Sequence, residues 1–138
     1  MEIGFAKTDI TPRVGVELCG FGPFINRHSV GVRDRLWARA MAVRSEDEEA
    51  VLVSCDLVGV TRETTRSVRR KVQQEAGLSG GTVIISCSHT HSGPNTSGLR
   101  IGWGAYDPPY MEVLPHRIAS ACVEALENMR PAEVSHAE

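Results

Sequence analysis

Aromatic residues are scarce in this chain, at 5% of 138 positions, which excludes a core built on stacked rings and leaves Val, Leu, Ile and Ala to fill the interior. An excess of one charge is also missing. Fifteen Lys and Arg against seventeen Asp and Glu give a formal net charge of -2. That balance offers no long-range field for DNA, RNA or an anionic bilayer, so nucleic acid is not an expected partner. No apolar run approaches the roughly 20 residues that span a bilayer. The first residues, MEIGFAKTDITP, are interrupted by Glu2 and Lys7 and lack a signal-peptide apolar region. The expectation is a soluble cytoplasmic chain without a transmembrane segment. Cys19, Cys55, Cys87 and Cys122 form no C-x-x-C pair, and reduced thiols are expected.

What is present reads as one globular unit over 1–138, with 41% hydrophobic and 23% charged residues. Alternation predicts a strand from Glu2 to Ile10, ended by Thr11-Pro12. Recurrent glycine from Val14 to Asp34 predicts a long irregular loop. LWARAMAV (36–43) and AVLVSCDLVGV (50–60), separated by Ser45 to Glu49, read as a hairpin, and the second run has the composition of a strand covered on both faces. Thr61 is placed to cap a helix that turns Val68 and Val72 inward and ends at Gly77, with its arginines in solvent. GTVIIS (81–86) follows as a strand, and a strand, helix, strand order implies parallel pairing. Met111, Leu114, Ile118, Cys122, Ala125 and Met129 recur at helical spacing over about 110–129, with Pro115 near the start. Residues 131–138 read as a turn and the beginning of a strand. The fold expected is α/β: a mixed, largely parallel sheet flanked by helices and incomplete at its C-terminus. An open strand edge of that kind predicts self-association.

The chemistry concentrates in Ser88-His89-Thr90-His91-Ser92-Gly93-Pro94-Asn95, directly after a predicted parallel strand, where open α/β sheets place their ligands. In extended backbone, His89 and His91 point to one side and approach one metal or substrate together. Two histidines are only part of a catalytic zinc site, which needs three protein ligands. Asp56 ends the neighbouring strand at the same edge, positioned either to orient an imidazole or to cap the following turn. Cys87 beside His89 admits a thiol nucleophile, a reading opposed by the burial expected at a strand end. His28, His116 and His136 read as surface residues. Gly20-Phe21-Gly22-Pro23 lacks the Lys and Ser/Thr of a phosphate loop. Trp103, Tyr106 and Tyr110 belong either to a substrate lid or to a loop anchored by its rings.

FAKTDITP (5–12), LWARAMAV (36–43), VLVSCDLVGV (51–60) and SHTHSGPN (88–95), in this order and spacing, resemble the amino-terminal domain of the neutral/alkaline non-lysosomal ceramidase family over nearly the whole chain. H-T-H-S-G-P is the most specific element. The resemblance implies a zinc-dependent amidase (cofactor Zn2+) that hydrolyses an N-acyl bond, in ceramide or another N-acyl lipid or small amide. Position by position, His89 matches a zinc ligand and His91 a catalytic residue facing the substrate, while Arg39, Asp56 and Ser92 fall where they support the site or contact substrate. The family's remaining ligands, a second His, a Glu and a Tyr, and its active-site serine lie beyond this chain's length. Arg33 stands where the family often has His, and Asn95-Thr96 replaces a glycine pair. The alternatives are a non-catalytic fragment or binding domain that keeps the scaffold, and a self-contained Cys/His hydrolase.

Overall fold

A computed structural model of the protein describes residues 1–22, 26–99 and 103–136. Its elements in chain order are β1 (Glu2–Asp9), β2 (Trp37–Ser45), β3 (Glu48–Cys55), α1 (Arg62–Ala76), a single 3₁₀ turn (Gly80–Thr82), β4 (Val83–Cys87), α2 (Pro108–Glu127) and β5 (Arg130–Pro131). The strands form one sheet in the order β4-β3-β2-β1-β5. A mixed α/β sheet is what the sequence predicted, but it is not largely parallel. Among the described residues only β3 and β4 run parallel, and the other three ladders are antiparallel. The reason is connectivity: α1 supplies the one crossover, whereas β2 and β3 are joined by the two residues Glu46-Asp47. At the C-terminus Arg130 and Pro131 pair with Ile3 and Glu2, and the Ala132 N–H reaches the Met1 carbonyl at 3.1 Å. Ala137 and Glu138, the end of the predicted last strand, lie outside the described residues.

The helices begin and end where local chemistry dictates. Thr61 Oγ1 accepts the Thr64 N–H at 3.0 Å, and Gly77 closes α1 at φ 73°. Two prolines occupy the first positions of α2, where a missing N–H costs nothing, and the helix continues through a buried Pro115. Leu114, Ile118, Cys122 and Ala125 of α2 meet Val68 and Val72 of α1 and the inward residues Ala38, Ala40, Ala42, Val51, Val53 and Val83 of the sheet in one cluster. Both helices therefore cover the same face, and the predicted two-sided cover of β3 does not exist among the described residues. Val51, Val53 and Cys55 are buried while Leu52 is 42% exposed. On the open face Phe5, Met41, Leu52 and Ile84 stand side by side across four strands. Gly4 sets the spacing of the covered face, because a Cβ there would strike the backbone of α2 at Ala125 and of the following turn at Asn128 and Met129. No helix among the described residues is long and apolar enough to cross a membrane.

Candidate active site

The parallel pair β3/β4 ends at Cys55 and Cys87, which are in register, and the next residue, Ser88, donates its N–H to the Cys55 carbonyl at 3.0 Å. The chain then turns sharply. His89 sits at φ 58°, a left-handed conformation that non-glycine residues adopt at a cost and that clusters at functional sites. The expected extended backbone is thus absent, yet the expected meeting occurs: the His89 and His91 ring centroids lie 5.0 Å apart, edge to face.

The two imidazoles are held in opposite states. His89 Nδ1 lies 2.6 Å from the Val58 carbonyl. A carbonyl only accepts, so Nδ1 carries a proton, and in the neutral ring Nε2 keeps its lone pair. His91 Nδ1 instead accepts the Phe21 N–H at 3.3 Å, which places the proton of the neutral ring on Nε2. That Nε2 is buried and has no hydrogen-bond partner among the described residues. One ring therefore presents an electron pair and its neighbour an N–H.

A wall of rings holds His91. Phe21 lies edge-on at 5.2 Å on one side and Trp103 at 5.7 Å on another, and Trp103 also reaches His89 at 6.3 Å. Gly20 makes the approach possible, since a Cβ there would collide with the His91 ring. Arg27 Nη2 donates to the carbonyls of Cys19 and His91, both at 3.0 Å, and its guanidinium lies over Phe21 at 4.9 Å. The glycine-rich Gly20-Phe21 motif that does not fit a phosphate loop is thus one side of the histidine site. No local signal announced this, because Gly20 and His91 are brought together only by the long loop returning to the strand end, where Cys19 N–H meets the Gly93 carbonyl at 2.8 Å. Pro23 of that motif lies outside the described residues.

Asp56 and Arg39 are joined to each other, not to the histidines. Asp56 Oδ2 accepts from Arg39 Nη1 at 2.7 Å and from the Trp37 N–H at 3.0 Å. Its role is to tie the end of β3 to the start of β2, and the Val58 carbonyl orients His89 in its place. Ser92 is exposed, and with Thr90 it lines a cavity of about 520 Å³ that Thr11 and Leu36 also border and neither histidine reaches. The turn at His89 thus leaves the Thr90 and Ser92 hydroxyls at this cavity and the two imidazoles away from it. A larger cavity of about 670 Å³, between Thr61 and Glu63 of the α1 start and Tyr106 and Glu112 near the α2 start, also lacks both histidines.

Of the predicted loop aromatics, Trp103 packs on the site, Tyr106 lies beside Gly98, and Tyr110 is buried in α2 with its hydroxyl donating to the Ile10 carbonyl at 2.5 Å. Ile101 and Gly102 lie outside the described residues. Asn95 and Thr96 are fully buried struts: Asn95 Nδ2 donates to the carbonyls of Leu99 and Gly104, and Thr96 Oγ1 donates to that of Gly59 at 2.6 Å. Arg33 is exposed beside Asp34 on the rim of the smaller cavity, and His28, His116 and His136 are exposed as expected. The cysteines are free thiols. Burial raises the Cys87 thiol, which argues against a thiolate nucleophile beside His89. No group of three or more His, Cys, Asp or Glu side chains among the described residues is arranged to hold a metal ion.

The fold matches known structures. Neutral ceramidase from Pseudomonas aeruginosa superposes with a TM-score of 0.83 at 22% identity, covering 94% of this chain and 22% of that one. A ceramidase complexed with C2 superposes at 0.80 and 21% identity, with the same coverage. The chain therefore spans about a fifth of the length of these proteins. The family model for the N-terminal part of the neutral/alkaline non-lysosomal ceramidases matches residues 1–138, and the chain belongs to that family.

Proposed function

We propose that this domain contributes the first part of a zinc-dependent amide hydrolase site that cleaves the N-acyl bond of ceramide or a related N-acyl substrate. The observation that carries this reading is the opposite kind of partner at Nδ1 of the two imidazoles, a carbonyl for His89 and a backbone N–H for His91. His89 fits a zinc ligand: its Nδ1–H is committed to the Val58 carbonyl, the arrangement that fixes a ligating histidine's tautomer and leaves Nε2 to coordinate. A zinc ion supplies Lewis acidity toward a substrate carbonyl. His91 fits the other half of the task, holding a proton at Nε2 within hydrogen-bonding reach of whatever oxygen or nitrogen enters beside His89. Phe21 and Trp103 exclude water from around that N–H and strengthen its field.

Family membership supports hydrolysis, and the ceramidase structures support an N-acyl lipid as substrate. The described residues bring two imidazoles together and hold no three-ligand cluster. Catalysis therefore needs ligands from outside these residues, and without them the chain acts as a non-catalytic scaffold. Long-range proton–nitrogen NMR of the histidine rings, with zinc titrated in, tests the reading. The Nδ1–H form is expected for His89 and the Nε2–H form for His91, with zinc moving the His89 Nε2 resonance and the response lost in His89→Ala. Zinc acting first on His91, or moving neither ring, would refute it.

A further inference from the structure

We infer that Glu17 is a positioning residue of the histidine site, a carboxylate clamp that holds Phe21 and Trp103 against His91. The inference rests on the reading of the His89/His91 pair as the reacting end of the domain. Glu17 lies in the irregular loop, half-buried, far in sequence from both histidines. Its two oxygens serve two different segments. Oε1 accepts the Asn26 N–H at 2.8 Å, and Oε2 accepts the Ala105 N–H at 2.8 Å. The first bond closes the 17–28 excursion, whose far part carries Phe21 and whose base is the bridge between Glu17 and His28. The second fastens the 103–106 segment, which carries Trp103. A single ionised carboxylate thus spans the two segments whose rings flank His91, and charge-assisted bonds to backbone N–H groups are the stronger class of hydrogen bond.

The packing around Glu17 is built for this contact. Gly104 sits at φ 84° with its α-carbon turned onto the loop, where a Cβ would lie 3.0 Å from the Leu18 carbonyl and 3.4 Å from the Glu17 side chain. The Gly104 carbonyl is held in turn by Asn95 Nδ2 at 2.8 Å. The 103–106 segment therefore leans on Glu17 from one side and on the buried Asn95 from the other. Neither contact touches an imidazole. The clamp acts on His91 only through the rings it positions.

Glu17→Gln is the informative substitution, because it preserves shape while replacing one acceptor oxygen with an NH2 group that faces a backbone donor. In a Trp37→Phe background all indole emission comes from Trp103, and acrylamide quenching reads its accessibility in zinc-free protein. Glu17→Gln is expected to raise the quenching constant roughly two-fold as the ring leaves the imidazoles for solvent. Asp9→Asn, which removes a carboxylate bonded to the Thr11 N–H away from the site, is expected to leave it unchanged. Unchanged quenching in Glu17→Gln, or an equal rise in Asp9→Asn, would overturn the clamp. Should Glu17→Gln fail to fold, amide exchange in the unmodified protein decides: Ala105 and Asn26 protected together support the clamp, and free exchange at Ala105 overturns it. None of these readouts uses zinc. A His89 ring indifferent to zinc beside a Trp103 that responds to Glu17→Gln would remove the metal reading and leave the clamp standing.

Discussion

Alanine at position 20 places a methyl group inside the His91 ring, and alanine at position 4 places one inside the α2 backbone. The two substitutions look alike in sequence and should behave differently. Gly20 has φ 84°, so any side chain there carries a conformational cost of about 1–2 kcal/mol. The clash with His91 adds about 1–3 kcal/mol if the surroundings stay rigid. They need not stay rigid, because residues 19–21 belong to an irregular loop outside the sheet ladders. Relief comes from moving Phe21 off His91 Nδ1, so the global loss should stay near about 2 kcal/mol while the ring loses its fixed tautomer.

Gly4 carries no left-handed penalty, but the atoms its Cβ would meet are main-chain atoms of Ala125, Asn128 and Met129, and β1 is paired on both edges. The nearest of these, the Ala125 carbonyl of α2, cannot yield without moving the helix off the sheet, so the overpacking falls on global stability at about 3 kcal/mol or more. At about 3–5 °C per kcal/mol for a domain of this size, Gly4→Ala should melt about 10–15 °C lower. Urea unfolding measures the global term, and histidine-ring NMR reads the local one. Unchanged His91 resonances in Gly20→Ala, or wild-type stability in Gly4→Ala, would refute the geometry on which the site is built.

The one-sided sheet predicts that two isoleucines differ. Ile118→Ala, at a fully buried position, should cost about 2–5 kcal/mol in denaturant unfolding, and Ile84→Ala, 54% exposed on the open face, under about 1 kcal/mol. Asp9 is held below the ordinary carboxylate range, first by its hydrogen bond with Thr11 and further by Arg35. Its folded pKa lies below its unfolded one, so its contribution is complete above about pH 4 and is lost as pH falls through the folded value. Asp9→Asn should therefore lose stability at neutral pH and show a shallower decline in acid. Burial raises the thiols of Cys55 and Cys87 and pushes Cys122 up to about 12. Alkylation at neutral pH should be slow until denaturant is added, and rapid selective labelling of Cys87 would restore the thiol-nucleophile reading.

Local chemistry made much of this protein legible in its sequence. Thr61 and Gly77 mark the ends of α1 because capping and left-handed closure are decided within a few residues. The 3.6-residue recurrence of Leu114, Ile118 and Cys122 marks the buried stripe of α2, and the apolar runs mark β2, β3 and β4. The His89/His91 motif was visible because its residue types and its place after a strand are both sequential facts. What tertiary structure decided is of another kind. That both helices cover one face, leaving Phe5, Leu52 and Ile84 open, depends on how α1 and α2 pack together, and apolar composition does not distinguish a face covered by helices from one left bare. The pairing of Asp56 with Arg39, the bond from His89 to the Val58 carbonyl and the closure of Phe21, Trp103 and Glu17 around His91 join residues up to 88 positions apart. Hydrogen-bond partners at such separations are set by where the loops return to the sheet edge, and no periodicity or motif in the chain encodes that return.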